Sequence, residues 1–380
     1  MSMEELRREI DDIDEQLVAL FVKRMGVSAK VADEKKESGR AVLDPARERR
    51  LLERVSELAG EELESQTRVL YNLILSLSRS YQNHRLGFDG ALLEKIRDGI
   101  ENTDKVFPER AFVACQGVEG AYSQLACDKL FPAANIMYMN SFEGVFNAVD
   151  KGLCRYGILP LENSSAGSVN QIYDLMMKHK FHIVRSTRLH VSHVLLAPKG
   201  TKLADIKEIY SHEQAIQQCS EFLQGLKNVR VNVCENTAMA AKAVAESGRA
   251  DVAAISSESC AALYNLDVLE TALPNVDNNY TRFICIAKPL EIYPGANRTS
   301  LMLVLPHKPG ALHSILSKFY SLGVNLLKLE SRPLPGRDFE FMFYFDIEVS
   351  VYSDAFENLL SQLQAEADKF QYLGSYTEVV

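Results

Sequence analysis

The chain has no excess of positive charge: 42 Lys and Arg stand against 51 Asp and Glu, a net charge of −9 at pH 7. A field of that sign repels phosphate backbones and anionic lipid, so neither nucleic acid nor a membrane is expected as a partner. No apolar run approaches the ~20 residues of a membrane span; the stretch at 301–305 is typical of the longest. There is no Cys-x-x-Cys pair, and the seven cysteines are an odd number spread from Cys115 to Cys285. That usage fits free thiols in a reducing compartment and argues against a disulfide scaffold or a zinc finger. The first residues are charged and helical in pattern, without the apolar region of a secretion signal, so a cytoplasmic location is expected. What is present is 380 residues with 47% hydrophobic content, enough for two or three domains with their own cores.

The pattern changes twice. Leu6, Ile10, Ile13, Leu17, Leu20 and Phe21 recur at helical spacing. Asp44-Pro45 reads as an N-cap followed by Pro at the first helical position, opening a second helix to about residue 59. A third helix spans about 63–82. This all-α domain, 1–85, is small enough that a partner chain is expected to complete its core. Residues 86–108 read as a linker with a helical part. Over 109–290 strand and helix alternate, which indicates an α/β domain of mostly parallel sheet in two lobes facing a cleft. Over 298–377 the order is strand, helix, strand, a turn at Pro335-Gly336, strand, helix, strand. That is βαββαβ, an α+β ferredoxin-like pattern, and it says nothing of function alone.

In the helical domain the polar residues out of keeping with a plain bundle are Arg7, Arg24, Lys35, Arg47, Glu48, Ser78 and Gln82. Ser78 and Gln82 share a helix face, and Arg24 and Lys35 are nearly aligned. Arg7 and Arg24 lie about 25 Å apart along one straight helix, too far to hold one small molecule from a single chain. Either one is a bystander, or the second comes from a partner protomer. The run Leu6-Arg7-Arg8-Glu9-Ile10-Asp11, then Asp14-Glu15, Lys35 and Asp44-x-x-Arg47-Glu48, resembles the all-helical chorismate mutases. The resemblance implies an intertwined helical dimer in which the first Arg serves the partner's site. It also implies catalytic Lys35, Gln82 and Glu48, with Arg7, Arg24, Asp44, Arg47 and Ser78 binding substrate. Such residues suit a pericyclic rearrangement, which needs no nucleophile. The flexible dicarboxylate must be held in its reactive conformer, with a cation and a donor (Lys35 and Gln82) at the breaking ether oxygen.

Three segments of the α/β region stand out. Gly117-Val118-Glu119-Gly120-Ala121-Tyr122-Ser123 follows a strand and precedes a helix, a geometry for anion contact without dinucleotide spacing. Glu162-Asn163-Ser164-Ser165-Ala166-Gly167-Ser168 surrounds a carboxylate with more polar and small residues than a helix cap requires. Asn278-Asn279-Tyr280-Thr281-Arg282-Phe283 opens an apolar strand. Together these resemble prephenate dehydratase, whose signature is the Thr-Arg-Phe triplet with the Glu-Asn-Ser loop. The resemblance implies a two-lobed fold like that of periplasmic binding proteins, with no cofactor. It assigns Asn163, Ser164, Ser211, Gln218, Arg282 and Phe283 to substrate, with Arg282 on the side-chain carboxylate. Thr281 and Glu162 compete as proton donor. Ser211 with Gln214 also fits a capping box. His179, His182, His190 and His193 tempt a metal reading, but His190 and His193 fall on opposite faces of an expected strand, so no metal is expected.

Gly310-Ala311-Leu312-His313 and Glu330-Ser331-Arg332-Pro333 resemble the amino-acid-binding ACT module of the same enzymes. Gly310, Ala311, Leu312, Glu330, Ser331 and Arg332 are then the expected effector contacts. The order of the three resemblances implies a bifunctional enzyme that turns chorismate into prephenate and prephenate into phenylpyruvate, inhibited by L-phenylalanine and at least a homodimer. Arogenate dehydratase activity in the same fold, or a catalytically dead amino-acid sensor, are the rival readings.

Overall fold

A capping box opens the first helix. The Glu5 N–H donates to Ser2 Oγ at 3.2 Å and the Ser2 N–H to Glu5 Oε2 at 2.6 Å, satisfying two first-turn donors. The computed structural model describes residues 2–40, 42–86, 90–275, 278–334, 336 and 340–380. In it, α1 (Met3–Ser38) runs 36 residues and ends at Gly39, whose φ of 66° is left-handed. The stripe from Leu6 to Phe21 stays 37–62% exposed in the single chain. α2 (Pro45–Leu86) returns alongside α1 and carries both later expected helices, interrupted at Gly60 (φ 72°, ψ 170°). Asp44 caps it, its Oδ1 accepting from the Arg47 N–H at 3.0 Å.

α3 (Gly90–Glu101) lies in the stretch expected as a linker, and it is docked rather than free. Ile96 sits in a core with Leu301, Leu303, Phe345 and Ile347. The mixed charge of the segment masks one apolar face, Leu92, Leu93, Ile96 and Ile100, at helical spacing.

The first lobe contains β1 (Phe112–Gln116), α4 (Tyr122–Leu130), β2 (Asn135–Met139), α5 (Phe142–Asp150), β3 (Tyr156–Asn163), β4 (Gly167–Ser168), α6 (Asn170–Lys178) and β5 (His182–His190). The second contains β6 (Val194–Pro198), β7 (Glu208–His212), α7 (Glu213–Gln218), α8 (Ser220–Gly225), β8 (Arg230–Cys234), α9 (Thr237–Glu246), β9 (Val252–Ser256), α10 (Ser259–Tyr264) and β10 (Leu266–Glu270). β11 (Tyr280–Ala287) returns to the first lobe. The C-terminal segment follows as β12 (Arg298–Val304), α11 (Ala311–Ser321), β13 (Asn325–Pro333), β14 (Phe341–Glu348), α12 (Asp354–Gln364) and β15 (Lys369–Val379). Pro335 of the expected turn lies outside the described residues.

The second lobe's sheet has the order β10-β6-β9-β7-β8. The other sheet runs β13-β14-β12-β15-β5-β11-β3-β1-β2, from the C-terminal segment into the first lobe. It is mixed: β1, β2 and β3 are parallel, while β11 runs antiparallel to both β3 and β5. The seam is Thr377–Val379 of β15 beside Arg185–Thr187 of β5. Gly374 makes it possible, because a Cβ there would land on the Ile183 backbone and its φ of 143° disfavours a side chain.

The C-terminal sheet is covered on both faces. Leu301, Leu303, Phe345 and Ile347 meet Ile315, Phe319, Leu359 and Leu363 from α11 and α12. Met302, Val304, Met342 and Tyr344 meet Ile172, Tyr173 and Met176 of α6. A large apolar side chain buried in this way contributes about 1.5–3 kcal/mol, so the segment is welded to the first lobe. Between the lobes the chain crosses twice, after His190 and before Tyr280, and the Val191 N–H donates to Asn279 O at 2.7 Å where the crossings meet. No helix among the described residues is long and apolar enough to cross a membrane.

Candidate active sites

The inner faces of α1 and α2 bring Lys35, Ser78 and Gln82 together. Lys35 Nζ donates to Val42 O at 2.5 Å and to Gln82 Oε1 at 3.4 Å. Gln82 Nε2 donates to Ser78 Oγ at 3.3 Å, and Ser78 Oγ shares a 2.7 Å hydrogen bond with Ser28. Arg24 lies one turn before Ser28, with a buried Nη1 that has no hydrogen-bond partner among the described residues. An unpaired buried donor is costly, and an anionic ligand would satisfy it. Two expected members are occupied otherwise. Glu48 takes Arg79 Nη1 at 2.6 and 2.7 Å, and Asp44 serves as the helix cap beside an exposed Arg47. Arg79 escaped the sequence reading because nothing local marks it as the partner of a residue 31 positions away. Arg7 lies near the far end of α1, exposed, as its distance from Arg24 requires.

In the cleft, register decides which residues share a face. Asn163 of β3 pairs with Thr281 of β11, and Glu162 pairs with Arg282. Successive strand residues point to opposite faces, so the two pairs part company. Asn163 Oδ1 accepts from the backbone N–H groups of Ser165 at 3.0 Å and Ala166 at 2.9 Å. Its Nδ2 donates to Thr281 Oγ1 and Asn279 Oδ1, both at 2.8 Å. Gln218, from the second lobe, closes the group by donating to Ser165 Oγ at 2.6 Å. His193 lies beyond the end of β5, not within it as expected, and its Nε2 is 3.0 Å from Gln218 Oε1. The loop ahead of α4 is clamped to the second lobe: Tyr264 Oη donates to Glu119 O at 2.5 Å. Gly120 (φ 89°) packs so closely that a Cβ would come within 2.8 Å of Cys260 Sγ. The N-cap of α4, Ala121, supplies no side-chain cap. The Gln124 N–H turns back to Ala121 O at 2.9 Å, which leaves the N–H groups of Tyr122 and Ser123 for another acceptor.

Four expected substrate contacts are engaged within the framework. Ser211 is fully buried and donates to Ile255 O at 2.8 Å; His212, not Ser211, caps α7 by accepting from the Gln214 N–H at 3.3 Å. Ser164 ties the loop to β11, donating to Asn278 O at 2.9 Å and accepting from the Tyr280 N–H at 2.8 Å. Phe283 is core beside Val113, Cys115 and Tyr156. Arg282, 4% exposed, points away from Thr281 into the C-terminal segment. There it pairs with Asp346, with Glu162 and Glu378 at 3.3 Å, and donates to Tyr376 Oη at 2.8 Å. Burial works against its charge, but Tyr376, Asp346 and Tyr344 together hold its pKa above the ordinary value. Glu162 is equally engaged, with Lys328 Nζ at 2.8 Å. Both lie behind the cleft because the partners that claim them are supplied by strands more than 40 residues further on.

This arrangement predicts a stability effect. Arg282→Ala strands Asp346 and Glu378, 1% and 3% exposed at their side chains, without that counter-ion. Removing one member of a buried ionic group costs about 3–5 kcal/mol, so the urea midpoint should fall steeply. A substrate ligand at a solvated cleft wall would leave it unchanged.

In the C-terminal segment, Gly310 (φ 83°) is the N-cap of α11, with Ala311 and Leu312 in its first turn. Glu330 accepts from Ser168 Oγ, and Arg332 donates to both carboxylate oxygens of Asp174 at 3.0 and 2.9 Å, while Ser331 is exposed. Two of the six expected effector contacts are thus committed to the first lobe. Among the described residues no cluster of His, Cys, Asp and Glu could hold a metal.

The chain thus carries two spatially separate polar groups, one between helices and one between lobes. Residues 6–83 match the chorismate mutase type II family and residues 113–290 the prephenate dehydratase family. The chain is 33% identical over 380 residues to the bifunctional chorismate mutase/prephenate dehydratase of Escherichia coli (strain K12), covering 98% of this chain and 95% of that one. It is 37% identical over 311 residues to arogenate dehydratase/prephenate dehydratase 2 of Arabidopsis thaliana, covering 78% and 81%. A solved prephenate dehydratase from Arthrobacter aurescens, in complex with L-Phe, superposes with a TM-score of 0.65 at 28% identity, over 70% of this chain and 89% of that one. The chain belongs to the family of bifunctional chorismate mutase/prephenate dehydratases.

Proposed function

We propose that the helical domain rearranges chorismate to prephenate, that the cleft converts prephenate to phenylpyruvate, and that phenylalanine bound to the C-terminal segment restrains the second step. The observation that carries the reading is the full-length match to a bifunctional relative, with both family matches on this one chain. At the first site no bond to the protein forms. Arg24 holds a substrate carboxylate with its unpaired nitrogen, and Lys35 and Gln82 stabilise the negative charge that grows on the ether oxygen.

At the second site the substrate's own carbon–carbon bond to carboxylate breaks. Its electron pair enters the ring, carbon dioxide leaves, and the ring carbon–oxygen bond releases hydroxide, which takes up a proton to become water. Thr281 Oγ1 already accepts from Asn163. Its one proton is therefore free to point at the departing oxygen. Glu162, engaged on the other face, does not compete for that role. With Arg282 committed elsewhere, the anionic ends of the substrate fall to the first turn of α4.

The apolar stripe of α1 is the surface a second copy would cover, and Arg7 would then enter the partner's mutase site. Mixing Arg7→Ala with Lys35→Ala protein should restore part of the mutase activity after subunit exchange, because one of the two sites in each heterodimer escapes both lesions. No recovery despite proven exchange would place Arg7 in its own chain's site or outside catalysis. The C-terminal βαββαβ segment is read as an ACT-type module that takes phenylalanine, and the free cysteines fit a cytoplasmic enzyme. Purified protein given chorismate should form phenylpyruvate, more slowly with added phenylalanine. Identity of 37% to an arogenate dehydratase/prephenate dehydratase supports arogenate as a second substrate. A higher kcat/KM for arogenate than for prephenate would make it the first.

A further inference from the structure

We infer that His193 is a positioning residue of the dehydratase cleft: by donating from Nε2 it fixes the direction of an amide chain that leaves the Thr281 proton free for the substrate. The inference rests on the cleft reading given above. Its starting point is a pair of backbone donors. The N–H groups of Ser165 and Ala166 can only donate, and both meet the same oxygen of Asn163, at 3.0 and 2.9 Å. The Asn163 side chain therefore has one orientation, with Nδ2 toward Thr281 Oγ1 and Asn279 Oδ1.

Each further group follows from the last. Asn279 accepts with Oδ1, so its Nδ2 donates to Gln218 Oε1 at 3.0 Å. Gln218 accepts there, so its Nε2 donates to Ser165 Oγ at 2.6 Å, and Ser165 passes its own proton to Asn163 Oδ1 at 2.7 Å. The ring nitrogen of His193 3.0 Å from Gln218 Oε1 must then carry hydrogen. Burial chiefly, with His212 nearby and against the Gln218 hydrogen bond, holds the His193 pKa below its ordinary value. A neutral ring with hydrogen on Nε2 bares Nδ1, and that atom is buried without a hydrogen-bond partner among the described residues.

His193 is held for this task. Its ring meets Tyr122 edge-on, with centroids 6.2 Å apart, and Tyr122 Oη donates to Ser192 O at 2.7 Å. It also sits at the first lobe crossing, beside Asn279 at the second, while Gln218 reaches in from α7. Gln218 is the one member of the chain contributed by the second lobe. Without the His193 donor its amide can turn over, and two N–H groups then face each other at Asn279. The disorder is felt at Thr281 through Asn163.

The test compares two substitutions in the full-length enzyme. His193→Leu fills similar space and cannot donate, and should lower prephenate kcat about tenfold with KM changed less than about twofold. His193→Gln carries an N–H close to the Nε2 position and should recover most of that loss. Chorismate rearrangement should be unchanged in both. In wild-type enzyme, nitrogen-15 spectra of the histidines should report the Nε2–H form for the resonance that disappears in His193→Gln. Wild-type kcat in folded His193→Leu, equal losses in both variants, or an Nδ1–H form would each overturn the proposal. Should His193→Leu fail to fold, the spectra and the Gln variant still decide it. Absence of prephenate turnover in the wild-type enzyme would instead refute the cleft reading itself.

Discussion

Thr281→Val should lower prephenate turnover by about 10²–10⁴-fold, the usual loss for a positioned proton donor, while chorismate rearrangement continues at the wild-type rate. Valine keeps the shape and β-branching, so the strand is preserved and only the hydroxyl is lost. Asn163 Nδ2 retains Asn279 Oδ1 as an acceptor, which limits the structural damage. Steady-state kinetics on both substrates would measure the split. Glu162→Gln provides the contrast: its carboxylate faces Arg282 and Lys328 rather than the cleft, so it should cost at least tenfold less than Thr281→Val. A larger loss from Glu162→Gln would return the proton to the carboxylate.

Lys35→Met should do the reverse, lowering chorismate rearrangement by about 10²–10³-fold, the loss expected when one donor to a developing oxyanion is removed. Methionine keeps the unbranched stem that passes between α1 and α2, so the change is chiefly the loss of the ammonium. The Val42 carbonyl and Gln82 Oε1 lose their shared donor, but Val42 is only half-buried and can turn to water. Added prephenate should still be consumed normally, because Lys35 bonds to Val42 and Gln82 and to none of the described cleft residues. A single substitution that silenced both activities in folded protein would refute two independent sites.

Much of this enzyme follows from local rules that a sequence obeys without knowing its fold. The capping box at Ser2, the cap at Asp44 and the stripe from Leu6 to Phe21 need only neighbours within a few turns, and so does the shared helix face of Ser78 and Gln82. The alternation after residue 109 and the βαββαβ order rest on period and turns in the same way. The Glu-Asn-Ser and Thr-Arg-Phe segments stand out in the sequence, and the fold joins Asn163, Gln218 and Thr281 in one hydrogen-bonded group.

Tertiary structure alone decided which half of each segment faces the cleft. Strand alternation separates Thr281 from Arg282 and Asn163 from Glu162, but it does not say which side is cleft. That was settled by β14 and β15, which bring Asp346 and Glu378 behind β11 and make the buried side of the sheet the place where a guanidinium is stable. The charged stretch near residue 96 became a docked helix for a similar reason, since its apolar face matters only once Leu301 and Phe345 are there to cover it. His193 gained its role because two lobe crossings, nearly 90 residues apart in sequence, meet at one hydrogen bond. Contacts of that range are set by how sheets stack and where chains cross, and no periodicity in the residues themselves records them.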